Sequence, residues 1–144
     1  MSQEVRGRFI LDTSLTLAWY FADEANPYAD AVAQKFASAE AIVPSLWPLE
    51  VANALLMGER RKRSTAAQAS TFLARLGTLP IVIDHETDAR AWSDTISLAR
   101  AHNLSTYDAA YLELAMRRGL PLASLDEKLK AAATAVGVGL YSLP

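Results

Sequence analysis

Five short apolar runs, at 9–11, 41–43, 80–83, 120–123 and 138–143, alternate with longer segments of helical spacing, and this alternation constrains the fold more than any other feature. The runs read as five strands. The segments between them predict helices over 14–21, 26–38, 45–62, 65–77, 86–101, 107–118 and 127–136. Parallel strands can be joined only through a helix-length crossover, so the pattern predicts an α/β fold with a mostly parallel sheet covered by helices on both faces.

No repeat, low-complexity linker or Gly/Ser-rich break divides the 144 residues, which are enough for one core that buries roughly 70% of the unfolded surface. A single domain over 1–144 is expected. The chain opens on the polar Met1-Ser-Gln-Glu-Val-Arg-Gly-Arg8, and nowhere does it reach the run of about 18 apolar residues that a membrane span needs. Neither a signal peptide nor a membrane partner is expected, and the simplest location is the cytoplasm.

Absent residue types narrow the chemistry. Without cysteine there is no disulfide framework and no thiolate zinc site, and His85 and His102 lie far apart in sequence. Gly137-Val-Gly139 begins like a dinucleotide fingerprint but lacks the third glycine and a following helix. Neither a phosphate-binding G-x-x-x-x-G-K-[ST] loop nor a G-x-S-x-G nucleophile elbow occurs. The net charge of −2 argues against a surface that holds nucleic acid by phosphate attraction alone, so any such contact should be local or bridged by metal.

In open parallel sheets, ligands bind beyond the carboxyl ends of the strands. Two aspartates fall there: Asp12 after the first run, in Phe-Ile-Leu-Asp12-Thr-Ser, and Asp126 after the fourth, in Pro121-Leu-Ala-Ser-Leu-Asp126. Each also suits a helix N-cap, which would contribute about 1 kcal/mol without any further role. Glu50 stands in Leu46-Trp-Pro-Leu-Glu50-Val-Ala-Asn53-Ala-Leu-Leu-Met57, a segment otherwise apolar but for Asn53. A carboxylate in such surroundings wants either an arginine partner or a metal. Asp108 lies just inside a helix start in Leu104-Ser-Thr-Tyr-Asp108-Ala-Ala-Tyr-Leu, where Ser105 and Asp108 loosely fit a capping box.

Clustered carboxylates raise one another's pKa and are unfavourable alone, but they suit a hard divalent cation with oxygen ligands. Magnesium or manganese is the natural choice for such a donor set. A cation held this way activates water and stabilises charge on a phosphodiester during displacement, which points to nuclease chemistry.

The four motifs, in this order and spacing, resemble the PIN domain of VapC-type toxins over almost the whole chain. That resemblance implies a three-layer α/β/α domain and a Mg2+- or Mn2+-dependent endoribonuclease acting on RNA, with Asp12, Glu50, Asp108 and Asp126 holding the metal. It also implies that Thr13 or Ser14, Asn53, Thr106 and Ser124 orient those ligands, Ser124 standing where the family more often has threonine. Such toxins commonly form homodimers and are silenced by a small cognate antitoxin. The aromatic run Trp19-Tyr20-Phe21 would serve either the core or an antitoxin's apolar segment, and Arg60-Arg-Lys-Arg63 either a polyanion or a helix C-terminus. Two other readings of the same residues are a PIN-type nuclease of RNA maturation and a non-catalytic PIN-like interaction module.

Overall fold

The computed structural model describes residues 7–143, so most of the polar lead-in lies outside the described residues. Four strands, β1 (Gly7–Leu11), β2 (Ala39–Pro44), β3 (Ile81–Asp84) and β4 (Leu122–Ala123), form one sheet in the order β3-β2-β1-β4. All three pairings are parallel, and Ile10 of β1 stands opposite both Ile42 and Leu122. Phe9, Ile10 and Leu11 are buried in succession, as are Ala41, Ile42 and Val43. Unbroken burial along a strand means that both its faces are covered, which is why these segments read as apolar runs without alternation.

The expected fifth strand at 138–143 is not a strand of this sheet. It is reduced to a single parallel bridge between Leu122 and Leu140, flanked by hydrogen bonds from the Leu122 N–H to Gly139 and from the Tyr141 N–H to Leu122. The reason is local. β4 offers only two residues before the chain turns away at Ser124, and the approach from the other side passes through Gly137 at φ +82°. The segment is held instead by its side chains, Tyr141 stacking on Phe9 with ring centroids 4.3 Å apart.

The helices are α1 (Thr13–Ala18), α2 (Pro27–Gln34), α3 (Trp47–Arg60), α4 (Ala66–Leu76), α5 (Thr87–Arg90), α6 (Ile96–His102), α7 (Thr106–Arg118) and α8 (Glu127–Ala135). The single helix expected over 86–101 is broken into α5, a π-helical turn at Ala91–Thr95, and α6. The helix expected over 14–21 stops at Ala18, where Trp19 turns to donate its indole N–H to the Ala29 carbonyl at 2.7 Å. Among the described residues no helix is long and apolar enough to cross a membrane.

The sheet order fixes where a site can form. From β1 the chain steps outward to β2 and β3, then returns to place β4 on the opposite side of β1. Connections therefore diverge between β1 and β4, and a crevice opens at the carboxyl ends of those two strands. Helix α7 lies against β1, β2 and β4, with Ala109 through Ala115 buried, so its first turn is held at the same end.

Candidate active site

Asp12 is the residue immediately after β1 and is only 3% exposed. It caps α1, accepting the Leu15 N–H at 3.0 Å on Oδ1. Two serines bring in the other side of the crevice. The Ser14 hydroxyl donates to Asp12 at 2.8 Å and accepts the Leu125 N–H at 3.1 Å. The Ser124 hydroxyl donates to Asp12 Oδ2 and accepts the Asp126 N–H at 2.9 Å. Each serine thus spends its proton on Asp12 and its lone pair on the β4–α8 turn, pinning that turn to the end of β1. Burial lifts the Asp12 carboxyl to about 6, against the lowering effect of these hydrogen bonds, and the nearby charge of Asp126 adds to the rise.

Glu50 lies in the first turn of α3, and α3 is locked to α1 by Trp47, whose indole N–H donates to the Thr16 hydroxyl at 3.1 Å. Among the described residues its partners are hydroxyls and not an arginine. The Tyr111 hydroxyl donates to Oε1 at 2.6 Å, and the Thr13 hydroxyl lies 2.9 Å from the same oxygen. Nor is the rest of α3 a buried apolar surface, since Leu49 is 75% exposed. Leu46, Leu49, Glu50, Asn53 and Tyr107 line an open cleft of about 540 Å³ beside the acids. Asn53 is exposed one turn beyond Glu50.

Asp108 is the third residue of α7, its N–H donated at 3.1 Å to Ser105, the N-cap. Burial raises its carboxyl pKa first, and the charges of Asp126 and Glu50 raise it further. Thr106, the first residue of α7, is exposed. Asp126 caps α8 by accepting the Leu129 N–H at 2.9 Å on Oδ1. Both aspartates for which capping was the rival reading are therefore caps, and each is also within the electrostatic reach of another acid.

The four acids gather at one end of the sheet, where the charge of Asp126 acts on Asp12 and Asp108 and that of Glu50 acts on Asp108. The donor set is all carboxylate oxygen, which is the kind a hard divalent cation takes. Yet among the described residues no three acids stand close enough to share a single cation.

Sequence reasoning passed over two features. Tyr111, quoted only as part of a motif, reaches Glu50 and Thr13 with its hydroxyl. Asp84, also at a strand end, is bound by the Arg117 guanidinium at 2.9 and 3.0 Å, and Arg117 is further held by Glu113 at 2.7 Å. Asp84 is thus satisfied by cations of the chain itself, and Arg117 holds its carboxyl below the usual range. Neither partner lies at a local sequence spacing that would reveal it.

A wider groove, of about 800 Å³, lies elsewhere. Trp19, Tyr20, Phe21 and Phe72 line it, with Arg63 and Arg75 at its rim. Arg63, last of the basic run that ends α3, pairs with Asp23 at 2.8 Å and Glu24 at 3.1 Å and lies 3.9 Å over the Phe21 ring. The Tyr20 hydroxyl and the Ser64 Oγ are buried without a hydrogen-bond partner among the described residues.

Comparison with known proteins gives a consistent picture. The family model for the PIN domain matches residues 9–135. The chain is 32% identical over 123 residues to Ribonuclease VapC3 of Pyrobaculum aerophilum, across 85% of this chain and 92% of that protein. It resembles the crystal structure of PAE2754 from Pyrobaculum aerophilum, with TM-score 0.63 and 25% identity over 88% of this chain and 79% of that one. It also resembles Mycobacterium tuberculosis VapC20, a sarcin-ricin loop cleaving toxin, with TM-score 0.59 and 18% identity over 86% of this chain and 94% of that one. The last likeness is one of fold alone.

Proposed function

This chain belongs to the PIN-domain family, and from that premise we propose that it is a Mg2+- or Mn2+-dependent endoribonuclease, the toxin of a toxin–antitoxin pair acting in the cytoplasm. The observation that carries the reading is the state of Asp12. It is a carboxyl buried at the β1/β4 crevice and aimed by the Ser14 and Ser124 hydroxyls, with Asp126 fixed beside it through Ser124. Burial, and then the charges of Asp126 and Glu50, raise the carboxyl pKa of Asp108. Such a cluster is costly for a protein to keep unless a cation offsets it.

In this reading Asp12, Glu50, Asp108 and Asp126 hold the metal. When bound, a divalent cation supplies activated water and offsets charge on the scissile phosphodiester. The chain's own contribution is orientation. Ser14 and Ser124 aim Asp12, Thr13 restrains Glu50, and the N–H of Asp126 is fixed through Ser124. Thr106 and Asn53, both exposed at the mouth, are assigned to the RNA side of the site, Asn53 beside the cleft lined by Leu49 and Tyr107.

A small antitoxin is assigned to the aromatic groove, where an apolar segment would lie against Trp19, Tyr20 and Phe72. A homodimer is proposed through the face that carries Trp92, which is 94% accessible and lies outside both the acidic cleft and the aromatic groove. The direct test is cleavage of RNA by purified protein with added Mg2+ or Mn2+, and its arrest by excess chelator. Cleavage that survives chelation, or that requires zinc, overturns the metal assignment.

A further inference from the structure

Tyr111 heads the large side chains that are fully buried, at 1% exposure, and a tyrosine buried to that degree must find a partner for its hydroxyl. It finds both partners inside the acidic site: Glu50 Oε1 at 2.6 Å and Thr13 Oγ1 at 2.8 Å. Thr13 in turn lies 2.9 Å from the same Glu50 oxygen. Three oxygens form a triangle, and a proton count decides how it is wired. Tyrosine and threonine bring one O–H each and the carboxylate brings none. The shortest edge, from Tyr111 to Glu50, has the length of a hydrogen bond to an ionised acceptor. The tyrosine proton therefore goes to Oε1, and the threonine proton goes to Oε1 or to the tyrosine oxygen.

The consequence is asymmetric. Oε1 is committed to the protein, whereas Oε2 has no hydrogen-bond partner among the described residues. Placement reinforces this. Tyr111 sits one turn beyond Asp108 on α7, and Thr13 directly follows Asp12, so the hydroxyl pair joins the three helices that begin at or carry Asp12, Glu50 and Asp108. We propose that Tyr111 is a positioning residue of this site, which with Thr13 holds Glu50 by Oε1 so that Oε2 is presented to the divalent cation. The proposal rests on the metal-nuclease reading above.

The test is Mn2+ binding by the full chain, followed by loss of the free-ion electron paramagnetic resonance signal, with melting of the metal-free protein alongside. Tyr111→Phe should weaken Mn2+ binding by about tenfold or more, the scale at which groups that orient metal ligands act. Metal-free melting should change little by comparison. In a Glu50→Gln background the same change should have no further effect on Mn2+ affinity. A Tyr111→Phe protein that binds Mn2+ within about twofold of wild type overturns the proposal and leaves the metal site standing. Wild-type protein that binds no Mn2+ overturns the metal reading itself and the proposal with it. Should Tyr111→Phe fail to fold, Thr13→Val reads the same hydroxyl pair: weakened binding that Thr13→Ser restores supports the proposal, and undiminished binding in Thr13→Val overturns it.

Discussion

Asp12 answers to two demands at once, capping α1 and keeping a charge in a buried crevice, and the second is the costlier. Its carboxyl titrates at about 6 in the folded chain and at 3.8 when unperturbed. Between those values the folded chain keeps a proton that the unfolded chain has lost, so this group's share of stability is present at low pH and is lost as pH rises through 6. The loss amounts to at most about 3 kcal/mol. Metal-free Asp12→Asn retains an acceptor for the Leu15 N–H and should be more stable than wild type near neutral pH, with a flatter dependence between about pH 4 and pH 7. Denaturant unfolding across that range checks it, and equal slopes would refute it. Asp126→Asn likewise keeps the α8 cap. Wild type should gain up to roughly 2.7 kcal/mol at Mn2+ near 100 times its dissociation constant, and the variant much less, as read from metal-dependent melting. All four candidate acids could be picked from the sequence because they fall at strand ends and first helical turns. The part of Tyr111 could not, since its partners are 61 and 98 residues away and its spacing along α7 is that of any core aromatic.

Helices and strands were legible where one face or both faces were apolar, and illegible where a partner of distant sequence decided the outcome. The central strands β1 and β2 announce themselves because both their faces are covered. The run at 138–143 has the composition of a strand but meets a β4 of two residues, which supports one bridge and no ladder. The π turn at Ala91–Thr95 inserts a wider turn that periodicity over 86–101 hides, leaving Trp92 94% exposed and Thr95 buried, its hydroxyl without a partner among the described residues. At this scale the firmest tie between α7 and the edge strand β3 is Arg117, which clamps Asp84 and Glu113 with all three side chains mostly buried. Arg117→Met removes the cation, leaving Glu113 without its partner and Asp84 with only Arg118 at 3.4 Å, so it should destabilise the chain by about 3 kcal/mol by denaturant unfolding. The acid response of this cluster differs in its window from that of Asp12. Arg117 holds Asp84 below its unperturbed 3.8, so the stability it brings is complete above that value and is lost as pH falls below it. Arg117→Met should accordingly weaken the dependence of stability on pH below about 4 while leaving the rise through 6 intact.

For the molecule as a whole, the test of the proposed role is made in cells. Expressed alone in a bacterial host, the protein should arrest growth, and Asp108→Asn should abolish the arrest at equal abundance. Arrest by that variant would mean that the acidic site is not the source of toxicity. Substituting Phe72 by Glu in the aromatic groove should prevent rescue by the cognate small protein while RNA cleavage in vitro persists, because the groove and the acids are separate surfaces. The serine pins described above also bear on when, during synthesis, the acidic site can be completed. Ser124 meets Asp12 across 112 residues of sequence, and Leu125 meets Ser14 across 111. Chains emerge from the ribosome N-terminal end first. A nascent chain can therefore lay down β1, β2 and β3 in order while Asp12 still lacks both Ser124 and the turn that carries Asp126. On the proposed reading, a copy cut short before the turn that follows β4 would leave Asp12 without Ser124 and Asp126, and such a copy should not arrest growth when expressed.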